Sequence, residues 1–272
     1  MSEAPPSAEE SRTEPPAASD GLIKAQVYKD PRPAEHFARF HERSRAKHPN
    51  AMYEVVRVLT SMYGWSVFRV RSAFPERVPA SGAVILAPNH FSFMDHFFLG
   101  AAIRRKVRFM AKSQLFKPPM TVVYNNGGVF PVRRGHRDEE AFTTANAILA
   151  RGEALAMYCE GGRSRTGQLG EQARSGIGRL ALESGATVVP VAITGSSQVR
   201  NWKKGQFPKV TVMYGHPFRY EQVDEPTRQQ QQAVADQIFA EIKTLYAELS
   251  SLGREKVLRH AADERRAAAR GH

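Results

Sequence analysis

An α/β domain built on a single mixed, largely parallel sheet flanked by helices, with amphipathic and apolar helices at the N-terminus, is what this sequence predicts. Three observations carry that expectation. From residue 83 onward, short apolar runs rich in Val, Ile and Ala alternate with helix-length segments, a rhythm that favours strand–helix–strand units and parallel pairing. Gly152 and Gly185 stand just past two of those segments, where a helix stop is expected. Ahead of the alternation lie a segment with Phe37 and Phe40 among mixed charges and a second segment that is unusually apolar.

Taken in order, residues 1–21 are rich in Pro, Ala, Ser and Glu and bury too little apolar surface to offset their ordering entropy, so they are expected to be disordered. A helix is expected over 33–47, and Asn50 is placed to cap another over 51–70. That second helix carries Met52, Val55, Val58, Leu59, Met62, Trp65 and Phe68, more than one core-facing stripe requires. It fits either partial contact with lipid or burial beside the catalytic domain. Strands are expected over 83–87, 107–111, 129–132, 154–159, 188–193 and 210–214, with helices over 94–104, 138–151, 175–184 and 226–249. The Arg- and Ala-rich tail from Gly253 reads as a frayed helix or a surface-seeking basic segment. The expected division is a disordered 1–21, a helical membrane-associating segment over 33–74, a catalytic domain over 75–252 and a basic tail over 253–272.

A formal charge of +12 and a sequence pI near 10.0 imply a polyanionic partner. The chain shows no zinc-finger spacing, RNP block or helix-turn-helix, so nucleic acid is not expected and an anionic membrane surface is. The longest apolar runs, AVILAP and FFLGAAI, fall far short of the roughly 20 residues a transmembrane helix needs. The acidic N-terminus does not read as a signal peptide. A single cysteine, Cys159, excludes an internal disulfide and fits a reducing compartment. The expected location is therefore peripheral, on the cytoplasmic side of a membrane.

Chemistry is expected where the first strand of the alternation hands over to a helix. The stretch NHFSFMD, Asn89 to Asp95, puts His90 in the strand-to-helix loop and Asp95 in the first helical turn. A carboxylate that takes the Nδ1 proton leaves Nε2 free as a base, the His/Asp half of the serine-protease arrangement with a substrate hydroxyl in place of the serine. Taken alone, the pair reads equally well as a capping accident. Cys159 invites a covalent thioester route, but a small buried hydrophobe at the end of an apolar strand is the ordinary case. His96 beside Asp95 lacks a third ligand at a telling spacing, so no metal is expected.

Three more blocks follow in order: GVFPVRR (Gly128 to Arg134), EGGRSRTG (Glu160 to Gly167) and VVPVAITG (Val188 to Gly195). Together with NHFSFMD they resemble the glycerophospholipid acyltransferases, over roughly residues 83 to 217. The resemblance implies that His90 is the general base, that Asp95 orients it, and that Arg134, Glu160 and Arg163 serve the acceptor phosphate. Lys112, closing VRFMAK, resembles the family's FxAKxEL lysine and is a third candidate cation. Glu160 is expected to orient an arginine or to accept a bond from the acceptor's hydroxyl. Gly161 and Gly162 allow a tight backbone approach, and their N–H groups are candidates for an anion or a developing oxyanion. Arg133, Arg137 and Arg165 read as solvated surface arginines.

The chain departs from the family where Tyr158 and Cys159 replace Phe-Pro and Gly162 replaces threonine. EGGRSRTG and the paired arginines look more like the glycerol-3-phosphate acyltransferases. Asn89 and the short chain look like the PlsC-like lysophosphatidic acid acyltransferases, which is the reading adopted. The implied reaction moves a fatty acyl group from a thioester, acyl-CoA or acyl-ACP, to the sn-2 hydroxyl of 1-acyl-glycerol-3-phosphate, without a cofactor and with acyl carrier protein as a possible partner. Acylation of glycerol-3-phosphate or another lysolipid is the enzymatic alternative, and a non-catalytic basic membrane- or nucleic-acid-binding protein the alternative of another class.

Overall fold

The computed structural model describes residues 30–134, 138–164 and 166–270. The expected disordered segment 1–21 lies outside them, as do Arg137 and Arg165. Among the described residues seven strands form one sheet: β1 (Arg71–Ala73), β2 (Val84–Pro88), β3 (Val107–Lys112), β4 (Val129–Val132), β5 (Ala154–Ala156), β6 (Thr187–Thr194) and β7 (Thr211–Tyr214). Their order is β1-β7-β6-β2-β5-β3-β4, and every neighbouring pair is parallel except β6 with β7. The expected mixed, largely parallel sheet is thus present. The helices are α1 (Glu35–Ala46), α2 (Ala51–Val67), α3 (Asp95–Gly100), α4 (Met120–Asn126), α5 (Glu139–Ala150), α6 (Gly176–Ser184), α7 (Arg228–Leu252) and α8 (Arg254–Arg270).

Both faces of the sheet are covered, which is why the central strands read as continuous apolar runs rather than as alternation. In β2, Ile85 and Ala87 join a core with residues of α5, α6 and α7, while Val84 and Leu86 join Phe68, Phe98 and Leu99 on the other side. Local signals set the ends of several helices. The Asn50 side chain accepts the Met52 N–H at the start of α2, and the Asp138 side chain accepts that of Ala141 at the start of α5. A Thr227–Gln230 capping box opens α7, and Gly185 closes α6 at φ +56°.

Four departures from the sequence reading have local causes. α2 ends at Val67 rather than 70, because Arg69 adopts φ +46° and both Phe68 and Val70 donate to the Gly64 carbonyl, turning the chain into β1. The segment expected to be wholly helical to residue 74 therefore supplies an edge strand, and Phe68 is buried against Phe98. α3 is six residues long rather than eleven: Ala101 N–H donates to the Phe98 carbonyl, and the Leu99 carbonyl, which a longer helix would offer to Ile103, accepts the Tyr214 hydroxyl. β5 stops at Ala156, where the chain leaves the sheet to build a loop closed by Gly161 N–H to Tyr158 O (3.1 Å) and Arg174 N–H to Cys159 O (2.8 Å). The basic tail is a regular helix, α8, seated through Val257 and Ala261 against Ala73 and Phe74.

α6 and α7 meet most closely at Gly178, where a Cβ would lie 1.9 Å from the Gln231 carbonyl oxygen and 2.7 Å from the Ala235 nitrogen. Neither atom belongs to a side chain that can swing aside. Gly178→Ala is expected to destabilise the protein by about 1–3 kcal/mol through overpacking, read as a fall in the denaturant midpoint at unchanged m-value. An unchanged midpoint would show that the two helices separate freely.

Candidate active site

The strand ends that point the same way, those of β2, β3, β4 and β5, gather the loops that carry the predicted residues, as expected of an open α/β sheet. β2 delivers Asn89 and His90. The Asn89 side chain donates to the Ile193 carbonyl (3.0 Å) and accepts the Ile193 N–H (2.7 Å), pinning the end of β2 to β6. His90 follows with its ring almost wholly buried.

Asp95, fully buried, accepts three bonds on one oxygen: from His90 Nδ1 (2.9 Å), Phe91 N–H (2.7 Å) and Ser92 N–H (2.7 Å). The two backbone donors fix the carboxylate, and the carboxylate fixes the imidazole with Nε2 turned away from it. Burial lowers the His90 pKa below its ordinary value; the Asp95 bond and charge oppose this, and the charges of Arg134 and Arg163 add to it. At neutral pH the ring is therefore in its basic form.

Tyr158 lies flat on the His90 ring, with centroids 3.9 Å apart and planes 20° apart, and its hydroxyl is buried. Burial and then the Asp95 charge hold that phenol well above its usual pKa, so it stays neutral. Sequence reasoning noted Tyr158 only as a departure from a family pattern. Because the ring meets the histidine from a separate loop, no local periodicity could reveal the stacking.

The predicted cations converge. Burial lowers the Lys112 pKa, and the nearby charges of Arg134 and Arg163 lower it further, so residues from the ends of β3, β4 and β5 share one positive region that also reaches His90. Arg163 is likewise lowered, first by burial and then by Arg200, a residue the sequence reading did not single out. Arg174 is a second such residue: with Arg163 and Gln172 it lines a polar cavity of about 330 Å³.

Two expectations are corrected. Among the described residues Glu160 is paired with no arginine. Its Oε1 accepts the His90 N–H (3.2 Å) and its Oε2 the Gly170 N–H (3.0 Å), so it ties the histidine loop to the loop after β5. With Ser164 N–H donating to the His90 carbonyl (2.8 Å), the two motif loops are laced together. Gly161 sits at φ +66°, as a tight turn requires, but its N–H is taken by the Tyr158 carbonyl and is not offered to an oxyanion. Cys159 is buried and burial pushes its thiol pKa far up, the opposite of an activated nucleophile. Among the described residues no group of His, Cys, Asp and Glu side chains is placed to hold a metal ion.

Beside this centre an apolar cleft of about 390 Å³ runs between α2, α3 and α4, lined by residues that include Val56, Phe93, Phe97, Phe109, Leu115 and Val123. The acyltransferase family model matches residues 69–194, which span both motif loops and the His–Asp pair. Curated relatives of the chain include an uncharacterised protein of Mycobacterium tuberculosis, 28% identical over 168 residues, covering 56% of this chain and 44% of that one. The glycerol-3-phosphate acyltransferase of Aeromonas hydrophila is 28% identical over 134 residues, 43% of this chain and 17% of that enzyme. The chain thus spans less than half the length of these curated relatives. Among solved structures, the 1-acyl-sn-glycerophosphate acyltransferase PlsC of Thermotoga maritima matches with a TM-score of 0.55 at 20% identity, over 78% of this chain and 89% of that one. The chain therefore shares the fold of that enzyme.

Proposed function

We propose that this protein transfers a fatty acyl group from a thioester, coenzyme A or acyl carrier protein, to the sn-2 hydroxyl of 1-acyl-glycerol-3-phosphate, giving phosphatidic acid. The observation that carries the reading is a neutral, carboxylate-anchored His90 beside the cations Lys112, Arg134 and Arg163, next to an apolar cleft. Guanidinium and ammonium groups hold the acceptor phosphate, and the cleft takes the acyl chain. His90 Nε2 removes the hydroxyl proton as the oxygen attacks the thioester carbonyl, the C–S bond breaks, and the proton passes to the leaving thiolate. Asp95 stabilises the imidazolium in between. Glycerol-3-phosphate is the second acceptor to assay, favoured by the Aeromonas hydrophila relative.

His90→Ala is expected to lower kcat by about 10²- to 10⁴-fold with the fold intact, and Asp95→Asn to come close to it through the wrong tautomer. Thiol release from the thioester by purified protein is the measurement. More than a tenth of wild-type kcat in either variant would remove His90 from the role of base.

His90 must be neutral to accept a proton, so kcat/KM falls as pH drops through its pKa. Because that pKa is lowered from 6.5, the acid limb is expected to have its midpoint below 6.5. Arg134→Ala removes a charge that lowers it, so the limb should move to higher pH. Loss of the charge-assisted bond should also weaken acceptor binding by about 1.5–3 kcal/mol, roughly ten- to a hundred-fold in acceptor KM. An acid limb that stays put, or equal loss with unphosphorylated acceptors, counts against the assignment.

Delivery to lipid is proposed to run through α2. Among the described residues no helix is long and apolar enough to cross a membrane, but α2 turns Val55, Leu59 (62% exposed), Met62 and Trp65 outward while Tyr53, Val56 and Thr60 line the cleft. An apolar face with a basic surface suits an anionic headgroup layer. Phe68 is part of the core, so the informative variant is Leu59→Ser with Trp65→Ser. It is expected to lose most binding to phosphatidylglycerol vesicles while keeping turnover on a short-chain soluble acceptor. Unchanged vesicle sedimentation would place the contact elsewhere.

A further inference from the structure

His96 lies one residue beyond Asp95, in the first turn of α3, and forms part of the cleft wall at the catalytic end of the sheet. Phe97 and Phe109 flank it, with ring centroids at 4.0 and 5.8 Å. Neither ring nitrogen has a hydrogen-bond partner among the described residues. The residue is half-buried, so its ring nitrogens are accessible to a ligand in the cleft. The ring is also close enough to feel the charges of His90, Asp95 and Arg163. His96 thus lines the apolar cleft and adjoins in sequence the carboxylate that holds His90.

We propose that His96 donates a ring N–H to the carbonyl oxygen of the bound thioester and to the oxyanion that develops on it, so that it is a second catalytic residue beside His90. The inference rests on the acyl-transfer reading above. In the step itself the acceptor oxygen bonds to the carbonyl carbon, His90 takes the hydroxyl proton, the C–S bond breaks, and the thiolate leaves with that proton. His96 keeps its own proton throughout. Burial, and then the His90 imidazole, push the His96 pKa down to about 4, so the ring is neutral while His90 works and adds no positive charge against the protonation of its neighbour. A neutral imidazole is a competent electrophile where charge builds in a dry site. Of the two glycines that sequence offered for this task, Gly161 and Gly162, the first has its N–H engaged with the Tyr158 carbonyl.

The test compares the full-length wild type with His96→Phe, His96→Asn and His96→Gln, using palmitoyl-coenzyme A and 1-oleoyl-glycerol-3-phosphate and following thiol release. Phenylalanine keeps the ring's bulk and suits an apolar wall, and its thermal midpoint should match the wild type. Removing one oxyanion donor should lower kcat by about 10²- to 10³-fold while the thioester KM stays within about threefold. Asparagine or glutamine, which place an amide N–H near one ring nitrogen or the other, should recover at least tenfold over phenylalanine. A His96→Phe enzyme with wild-type kcat, a change confined to KM, or no recovery in either amide variant overturns the role of His96 and leaves the acyl-transfer reading standing. If the wild type releases no thiol in the presence of any phosphorylated acceptor, both fall.

Discussion

One carboxylate oxygen organises the centre. Asp95 Oδ2 receives the N–H groups of Phe91 and Ser92 together with the imidazole of His90, so loop backbone and catalytic ring share a single anchor with almost no conformational freedom. Two backbone donors hold the carboxylate in one orientation. The cost of burying it is offset only while the loop keeps its shape, which couples the geometry of the base to the fold around it. Glu160 repeats the device one loop away, holding His90 and Gly170 by their backbone N–H groups. The two acidic residues of the motifs thus both hold loop backbone around His90.

The fold was legible where one physical signal dominated. β2 and β6 are buried on both faces, so hydrophobic content alone located them. Gly152 and Gly185 marked helix ends because both stand at positive φ, where a side chain is strained. What escaped depended on contacts distant in sequence. β1 is three residues, Arg-Ser-Ala, with no apolar run of its own, and exists because β7 offers it a parallel partner. α4 begins beside Pro118 and Pro119 and carries no buried residue, so neither caps nor periodicity announced it. α8 looks like a charged tail in sequence because only Val257 and Ala261 meet the core.

The site was legible in its chemistry and less so in its connections. His90 and Asp95 are five residues apart, and the local geometry of a strand-to-helix turn was enough to pair them. The convergence of Lys112, Arg134 and Arg163 followed from motif resemblance and depended on β3, β4 and β5 ending at the same edge of the sheet. Asn89 as a clasp to β6, Tyr158 as a lid on the imidazole, and Arg200 as a neighbour of Arg163 required the tertiary structure, since each acts across 30 residues or more of chain.

The order of the strands leaves β1 at one border of the sheet, where exposed backbone is a template for pairing with another chain. Nature's usual remedies are a very short strand and a cover, and both are present: β1 has three residues, and α8 packs over it through Val257 and Ala261, with Arg77 bonded to Glu264 across the joint. The C-terminal helix is thus a guard against aggregation. A version of this chain shortened to the end of α7 would keep every residue of the chemical centre and still uncover Phe74 beside an open strand, making it prone to self-association during purification.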